Sequence, residues 1–142
     1  MASERVKILT TAIHSILWAT QAFQSGFPHV RKVVGAKPSF EIWWDGFDQQ
    51  GPGRADMTGH ITTFRFKLEI YTGLHSEQAD QEKLWSLVEV CRDALAANEK
   101  LGPSPGVLRS RVINGQMTVV TEQTNPMLVA VLSLEVDYFG IW

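Results

Sequence analysis

The sequence predicts an α+β domain: a mixed or mainly antiparallel sheet of about six strands with two helices on one face, in the order α-β-β-β-α-β-β-β. Three observations lead there. Apolar residues recur at helical spacing in two separate segments, residues 60–71 alternate with period two, and Asn114-Gly115 stands between two β-rich runs.

From Ser3 onward, Val6, Leu9, Ile13, Ile16, Leu17 and Phe23 recur on one helical stripe, and the Ser3 hydroxyl can accept from first-turn amides. A first helix is therefore expected over residues 3–24, ended by Ser25-Gly26-Phe27-Pro28. Two short strands follow at residues 30–34 and 39–45, around a turn at Gly35-Ala36-Lys37-Pro38. In the second of these, Phe40, Ile42 and Trp44 alternate with Glu41 and Trp43, which puts Trp43 on the face away from the core, an unexpected place for tryptophan. Residues 46–59 contain four glycines and one proline and show no period, so they read as a long loop.

Residues 60–71 set Thr62, Phe64, Phe66, Leu68 and Ile70 on one face and Thr63, Arg65, Lys67, Glu69 and Tyr71 on the other. Ser76 caps a second helix whose first turn carries Glu77 and Asp80 and whose buried stripe is Leu84, Leu87, Val88, Cys91, Ala94 and Leu95, ending near Asn98. Asn114-Gly115 predicts a hairpin between residues 107–113 and 116–122, because both central residues of a type I′ turn need positive φ. The last strand, residues 127–139, has Leu128, Ala130, Leu132, Leu134 and Val136 on one face and Val129 and Val131 on the other. Its first half is thus expected to be central or covered on both sides.

With 142 residues, the chain suits a single domain, residues 1–142, and not two. Hydrophobic residues make up 44% and charged residues 20%, so the surface is thinly charged. Thirteen Lys and Arg against fifteen Asp and Glu give a net charge of −2, which supplies no sequence-wide field for a general nucleic-acid binder. Cys91 is the sole cysteine, which excludes a scaffold of intrachain disulfides. The first 20 residues include Glu4, Arg5, Lys7 and His14 and lack a continuous apolar run, so a soluble chain with no membrane span, made in a cytoplasm, is expected.

Catalysis needs convergent acids, bases or nucleophiles. His14, His29, His60 and His75 do not pair with one another, with Cys91 or with a carboxylate at metal-ligand spacing, and Cys91 lies on an apolar stripe where a thiol packs as a small hydrophobe. Asp45, Asp48 and Asp56 do not follow the spacing of a calcium loop, and the glycines at 46, 51, 53 and 59 do not form a phosphate loop. No enzymatic activity, cofactor or metal is expected. Arg65 and Lys67 share one strand face and Arg109 and Arg111 another; if the two faces lie on one side of the sheet they form a local basic patch, diluted by Glu41 and Glu69. Trp43, Phe47, Tyr71, Val129, Val131, Phe139 and Trp142 are left where the local pattern does not bury them, which favours a self-associating protein.

In element order, length and hydrophobic pattern the chain resembles the tail terminator proteins of long-tailed bacteriophages, also described as tail completion or tail-to-head joining proteins. The resemblance is carried by an amino-terminal amphipathic helix, a strand pair, a long polar loop, the alternating strand at 60–71, a capped helix ending in Ala-Leu-Ala-Ala-Asn, and a final hairpin with a long strand. It covers nearly the whole chain and brings no catalytic motif. It implies a homo-oligomeric six-fold ring in the virion tail or neck, assembled in the host cytoplasm, that caps the tail tube and meets the head connector. Sheets would meet edge to edge, or helices would pack on neighbouring sheets, and DNA would pass through without specific binding. On this sequence the 46–59 loop, with Gly51, Arg54 and Asp56, would contact tube or neck proteins, anchored by Trp43 and Phe47. Arg65, Lys67, Arg109 and Arg111 would be subunit contacts or channel wall, while Phe139 and Trp142 match no general feature of the family. The alternatives are a head-completion or other neck ring, a minor tail-tube subunit, or a small ligand-binding α+β domain using Asp45, Asp56 and His60 beneath the loop.

Overall fold

The computed structural model describes residues 2–30, 35–49, 60–74, 77–102, 104–120 and 126–140, and the fold is α+β. Its elements are α1 (Ala2–Trp18), β1 (Ser25–Phe27), β2 (Ser39–Gln49), β3 (His60–Gly73), α2 (Glu77–Ala96), β4 (Val107–Val120) and β5 (Met127–Gly140). Among the described residues the sheet has five strands, in the order β1-β2-β3-β5-β4, with β1 parallel to β2 and every other pair antiparallel. The alternation at 60–71 is the centre of this sheet, with β3 pairing β2 on one side and β5 on the other. Phe64, Phe66, Leu68 and Ile70 are buried on one face of β3, facing the same core as Leu128, Ala130, Leu132, Leu134 and Val136 of β5.

Both helices lie over that core. Helix α1 packs on β1 and β2 and contributes Leu9, Ile13 and Leu17; α2 packs on β3, β5 and β4 and contributes Leu84, Leu87, Val88, Cys91 and Leu95. Burial of an aliphatic or aromatic side chain stabilises by ~1.5–3 kcal/mol, so this two-layer core carries the fold. Cys91 is fully buried within it, and burial pushes its thiol pKa up to about 12. As the two-faced apolar pattern required, β5 is central, and Met127, Leu128, Val129 and Ala130 are all buried. Among the described residues no helix is long and apolar enough to cross a membrane.

Four expectations are corrected. Helix α1 ends at Trp18, short of residue 24, because the backbone tightens into Thr20→Leu17 and Gln21→Trp18 hydrogen bonds and Gln21 takes a left-handed φ of 59°. Phe23 still reaches the core, delivered by the turn, and Ser25–Phe27 forms a strand. Val30 is not in a strand, and residues 31–34 lie outside those described.

The supposed loop at 46–59 begins as strand. A bulge between Trp44 and Gly46 inserts Asp45 as an extra residue, and β2 then runs on to Gln49. Gly46, at φ 109°, supplies a conformation that a side chain would resist, and Trp44 Nε1 donates to its carbonyl at 2.9 Å. The bulge shifts the alternation by one position, which hid the strand from a period-two reading. Residues 50–59, including Gly51, Arg54 and Asp56, lie outside those described.

Asn114-Gly115 is not a turn. Strand β4 runs through it without reversal, pairing Asn114 with Ser133 and Gly115 with Leu132. Gly115 is there for close approach: a Cβ would come within 2.6 Å of Leu132 Cδ2. The last ladder pair between β4 and β5 is Val120 with Met127, and residues 121–125 lie outside those described. Six expected strands thereby become five: one hairpin merges into β4, one strand falls partly outside the described residues, and β1 is new. The Ser76 cap also lies outside them.

Candidate assembly interface

The sheet face away from the helices is crossed by rows of side chains fixed by register. One row is Asp48, Thr63, Asp137, Arg109; the next is Gly46, Arg65, Glu135, Arg111; a third is Trp43, Lys67, Ser133, Asn114. The four basic residues singled out in the sequence therefore do share one face. They do not form a bare positive surface, because carboxylates stand between them. Arg65 pairs with Asp48, and Arg111 bridges Glu135 (2.8 Å) and Asp137 (2.7 Å). Thr63 Oγ1 donates to the other Asp137 oxygen at 2.7 Å.

Burial on its own pushes the Asp137 carboxyl up, but hydrogen bonds from Arg111 and Thr63, with the charges of Arg111 and Arg109, outweigh it and hold it below the ordinary carboxylate range. The same hydrogen bond, donated by Arg111 to Asp137, leads the upward shift of Arg111. A carboxylate with a depressed folded pKa stabilises above its unfolded pKa of about 3.9, and that contribution is lost as pH falls through the folded value. Asp137→Asn should therefore lower Tm at neutral pH, with the gap to the unsubstituted protein closing below about pH 4. A gap that persists unchanged at about pH 2 would show that the charge contributes nothing.

The aromatic candidates separate. Trp43 is 51% exposed on the open face, and Phe47 is 49% exposed at the end of β2, stacked on Trp44 with ring centroids 6.2 Å apart. Phe139 is exposed on the outer side of β5. Tyr71 is half-buried and donates to Glu69, and burial followed by that hydrogen bond raises its pKa. Val129 is buried and Val131 half-buried, so the monomer already covers much of them. Trp142 lies outside the described residues. Trp43→Ala should change monomer stability by less than about 0.5 kcal/mol and weaken self-association measured by sedimentation. A larger loss of monomer stability would return Trp43 to the core.

The histidines and acids do not converge. His14 Nε2 donates to Gly26 O (3.0 Å) and packs between Trp18 and Phe40, a structural position. His29 is exposed, and the side chains of His60 and His75 lie outside those described. Among the described residues no group of three or more His, Cys, Asp or Glu is placed to hold a metal ion.

No family model matches the sequence, and no curated protein matches it. Among solved structures the chain is similar to one from the "virion of native gene transfer agent (GTA) particle", at 12% identity and a TM-score of 0.49, with 90% of this chain and 93% of that chain covered.

Sequence reasoning missed the two edges of the sheet. Strand β4 is 14 residues long and, among the described residues, pairs only with β5. Its start is covered, since Ser110 N donates to Glu99 O at 2.7 Å. From Arg111 to Val120 its outer edge has no strand partner among the described residues, and Ile113, Met117 and Val119 are exposed there. On the opposite edge, β1 covers only Ser39, Phe40 and Glu41 of β2, leaving residues 42–49 without a strand partner among the described residues. Beside this second edge lies a cleft of about 600 Å³, lined by Val6 and Thr10 of α1 and by Ile42, Trp43 and Trp44. The false hairpin concealed the first edge by splitting β4 in two, and the bulge concealed the second. A usable signal remained in composition: the charged residues of 39–49 are all acidic and those of 107–120 all basic.

Proposed function

We propose that this protein is a structural subunit that acts by assembling with copies of itself, and more finely a tail terminator: a ring that caps a phage tail tube and joins it to the head. The observation that carries the reading is the open edge of β4. A long edge strand with exposed apolar side chains is a template for further strand pairing, and proteins that remain monomeric blunt such edges with charges, proline, bulges or a covering element; of these, among the described residues, the stretch after Arg111 has only the bulge at Ile113. Here the exposed stretch after Arg111 holds Ile113, Met117 and Val119 and no charged residue. Exposed Trp43, Phe47 and Phe139 add anchors of the kind interfaces use.

The finer reading rests on the resemblance in element order to tail terminators, and it requires interface formation with no bond chemistry. In this reading the ring meets tail-tube protein on one side and head-connector protein on the other, and DNA passes through without sequence readout. The mixed charge of the open face suits that role, since alternating carboxylates keep the basic residues from gripping phosphates. Deleting the gene from the phage or prophage that carries it should yield overlong or headless tails. Normal, joined virions would sink the reading, and electron microscopy that places the protein in the head-side neck or along the tube would move it to another ring.

A further inference from the structure

We infer that the open edge of β4 docks antiparallel on the open edge of β2 in a second copy, head to tail, with Arg109 of one copy meeting Asp48 of the next. The inference rests on the self-assembly reading and specifies its interface. Three features of the sheet carry it.

The first is charge. Strand β2 carries only acidic residues, Glu41, Asp45 and Asp48, whereas β4 carries only Arg109 and Arg111. Over the rows of the open face from Thr63 to Lys67 the sign alternates strand by strand: acidic on β2, basic on β3 with Arg65 and Lys67, acidic on β5 with Glu135 and Asp137, basic on β4, while Glu69 of β3 lies beyond those rows. A second copy beginning at its own β2 continues the alternation. Arg109 is exposed and makes no ion pair among the described residues, and Asp48, though paired with Arg65, keeps most of its side chain exposed. Two β4 edges set against each other would offer these arginines no acid from the facing strand.

The second is direction and register. Successive antiparallel pairings make β4 antiparallel to β2, so a copy added in the same orientation supplies the more stable kind of ladder. Bulges normally spoil an edge for pairing. Here both edges carry one over the same interval: from the level of Thr63 to that of Lys67, β2 runs from Asp48 to Trp43 and β4 from Arg109 to Asn114, each using one residue more than β3. The two irregular strands are therefore in step with each other, so Arg109 falls opposite Asp48 and Asn114 opposite Trp43 of the next copy. Because Ser110 N is taken by Glu99 O, the backbone ladder is confined to residues 111–115 against residues 42–46, with the Arg109 contact made by side chains at its end.

The third is shape. In that register Ile113, the extra residue of the β4 bulge and 51% exposed, arrives at the level of Trp43 and Trp44, on the rim of the cleft of about 600 Å³ beside β2. An exposed aliphatic residue thus meets an apolar opening on the partner edge.

The test uses two full-length variants, Arg109→Glu and Asp48→Lys, with thermal unfolding of each monomer as the folding control and sedimentation as the readout. Each variant alone should associate at least about tenfold more weakly than the unsubstituted chain at low salt, because each sets like charges against each other at every interface. An equimolar mixture should recover assembly, since an alternating ring restores an opposite-charge pair at every junction. If β4 pairs with β4, Asp48→Lys has no effect and mixing rescues nothing, and the inference is overturned. Assembly unchanged in both single variants also overturns it while leaving the self-assembly reading intact. An unsubstituted chain that stays monomeric at millimolar concentration overturns the inference too, and the terminator reading then stands or falls on the deletion phenotype.

Discussion

Phe40→Ala is expected to reduce the unfolding free energy by about 3–5 kcal/mol, a large part of the ~5–15 kcal/mol available to a domain. Phe40 is fully buried, its ring 4.8 Å from Phe23 in an edge-to-face contact and 5.4 Å from His14, and it lies over the backbone of Gly26. One side chain thus joins α1, the turn after it, β1 and β2. Truncation leaves a cavity that neither the helix nor the strand can collapse into, because His14 is tied to Gly26 O and β1 to the β2 ladder. Denaturant titration gives the value through the shift in midpoint. A loss under about 1 kcal/mol would mean that the amino-terminal third is not part of the cooperative core.

Ile113→Lys is expected to do the reverse, sparing the monomer and disabling assembly. The residue is half exposed and unpaired in the β4 bulge, so monomer stability should move by less than about 0.5 kcal/mol. At the interface a lysine would have to be buried beside the apolar cleft of the neighbouring β2, and loss of a central anchor of ~2 kcal/mol or more corresponds to roughly 30-fold weaker association. Lysine at such a place is also a device by which natural edge strands avoid pairing. Calorimetry of the monomer and sedimentation of the assembly separate the two effects. Unchanged association would remove the β4 edge from the interface.

The regular parts of this fold were legible in the sequence because their patterns were uninterrupted. The alternation of β3, the two-faced apolar start of β5 and the α2 stripe through Leu84, Val88, Cys91 and Leu95 each led to the right element and the right buried residues. Irregular positions were not. One extra residue at Asp45 inverted the apparent faces of the next stretch, so the end of a strand looked like a loop. Asn114-Gly115 satisfies the local chemistry of a turn, yet 14 residues of ladder with β5 and the tight seat of Gly115 against Leu132 override it. Both errors fell on β2 and β4, so most of the candidate interface was invisible. Trp43 was found because it violated a clean alternation. Ile113, Met117 and Val119 were not, because a false hairpin gave each half of β4 its own excuse for being exposed.

Cys91 has a consequence for endurance. Burial pushes its pKa up to about 12, so the thiol stays protonated at neutral pH, and no part of the residue reaches solvent. Oxidants and disulfide exchange act on accessible thiolate, so this sulfur should stay unreacted for as long as the fold holds, whether the surroundings are reducing or aerobic. Among the described residues, oxidation of sulfur is therefore left to methionine, and Met117 on the open β4 edge is the exposed one.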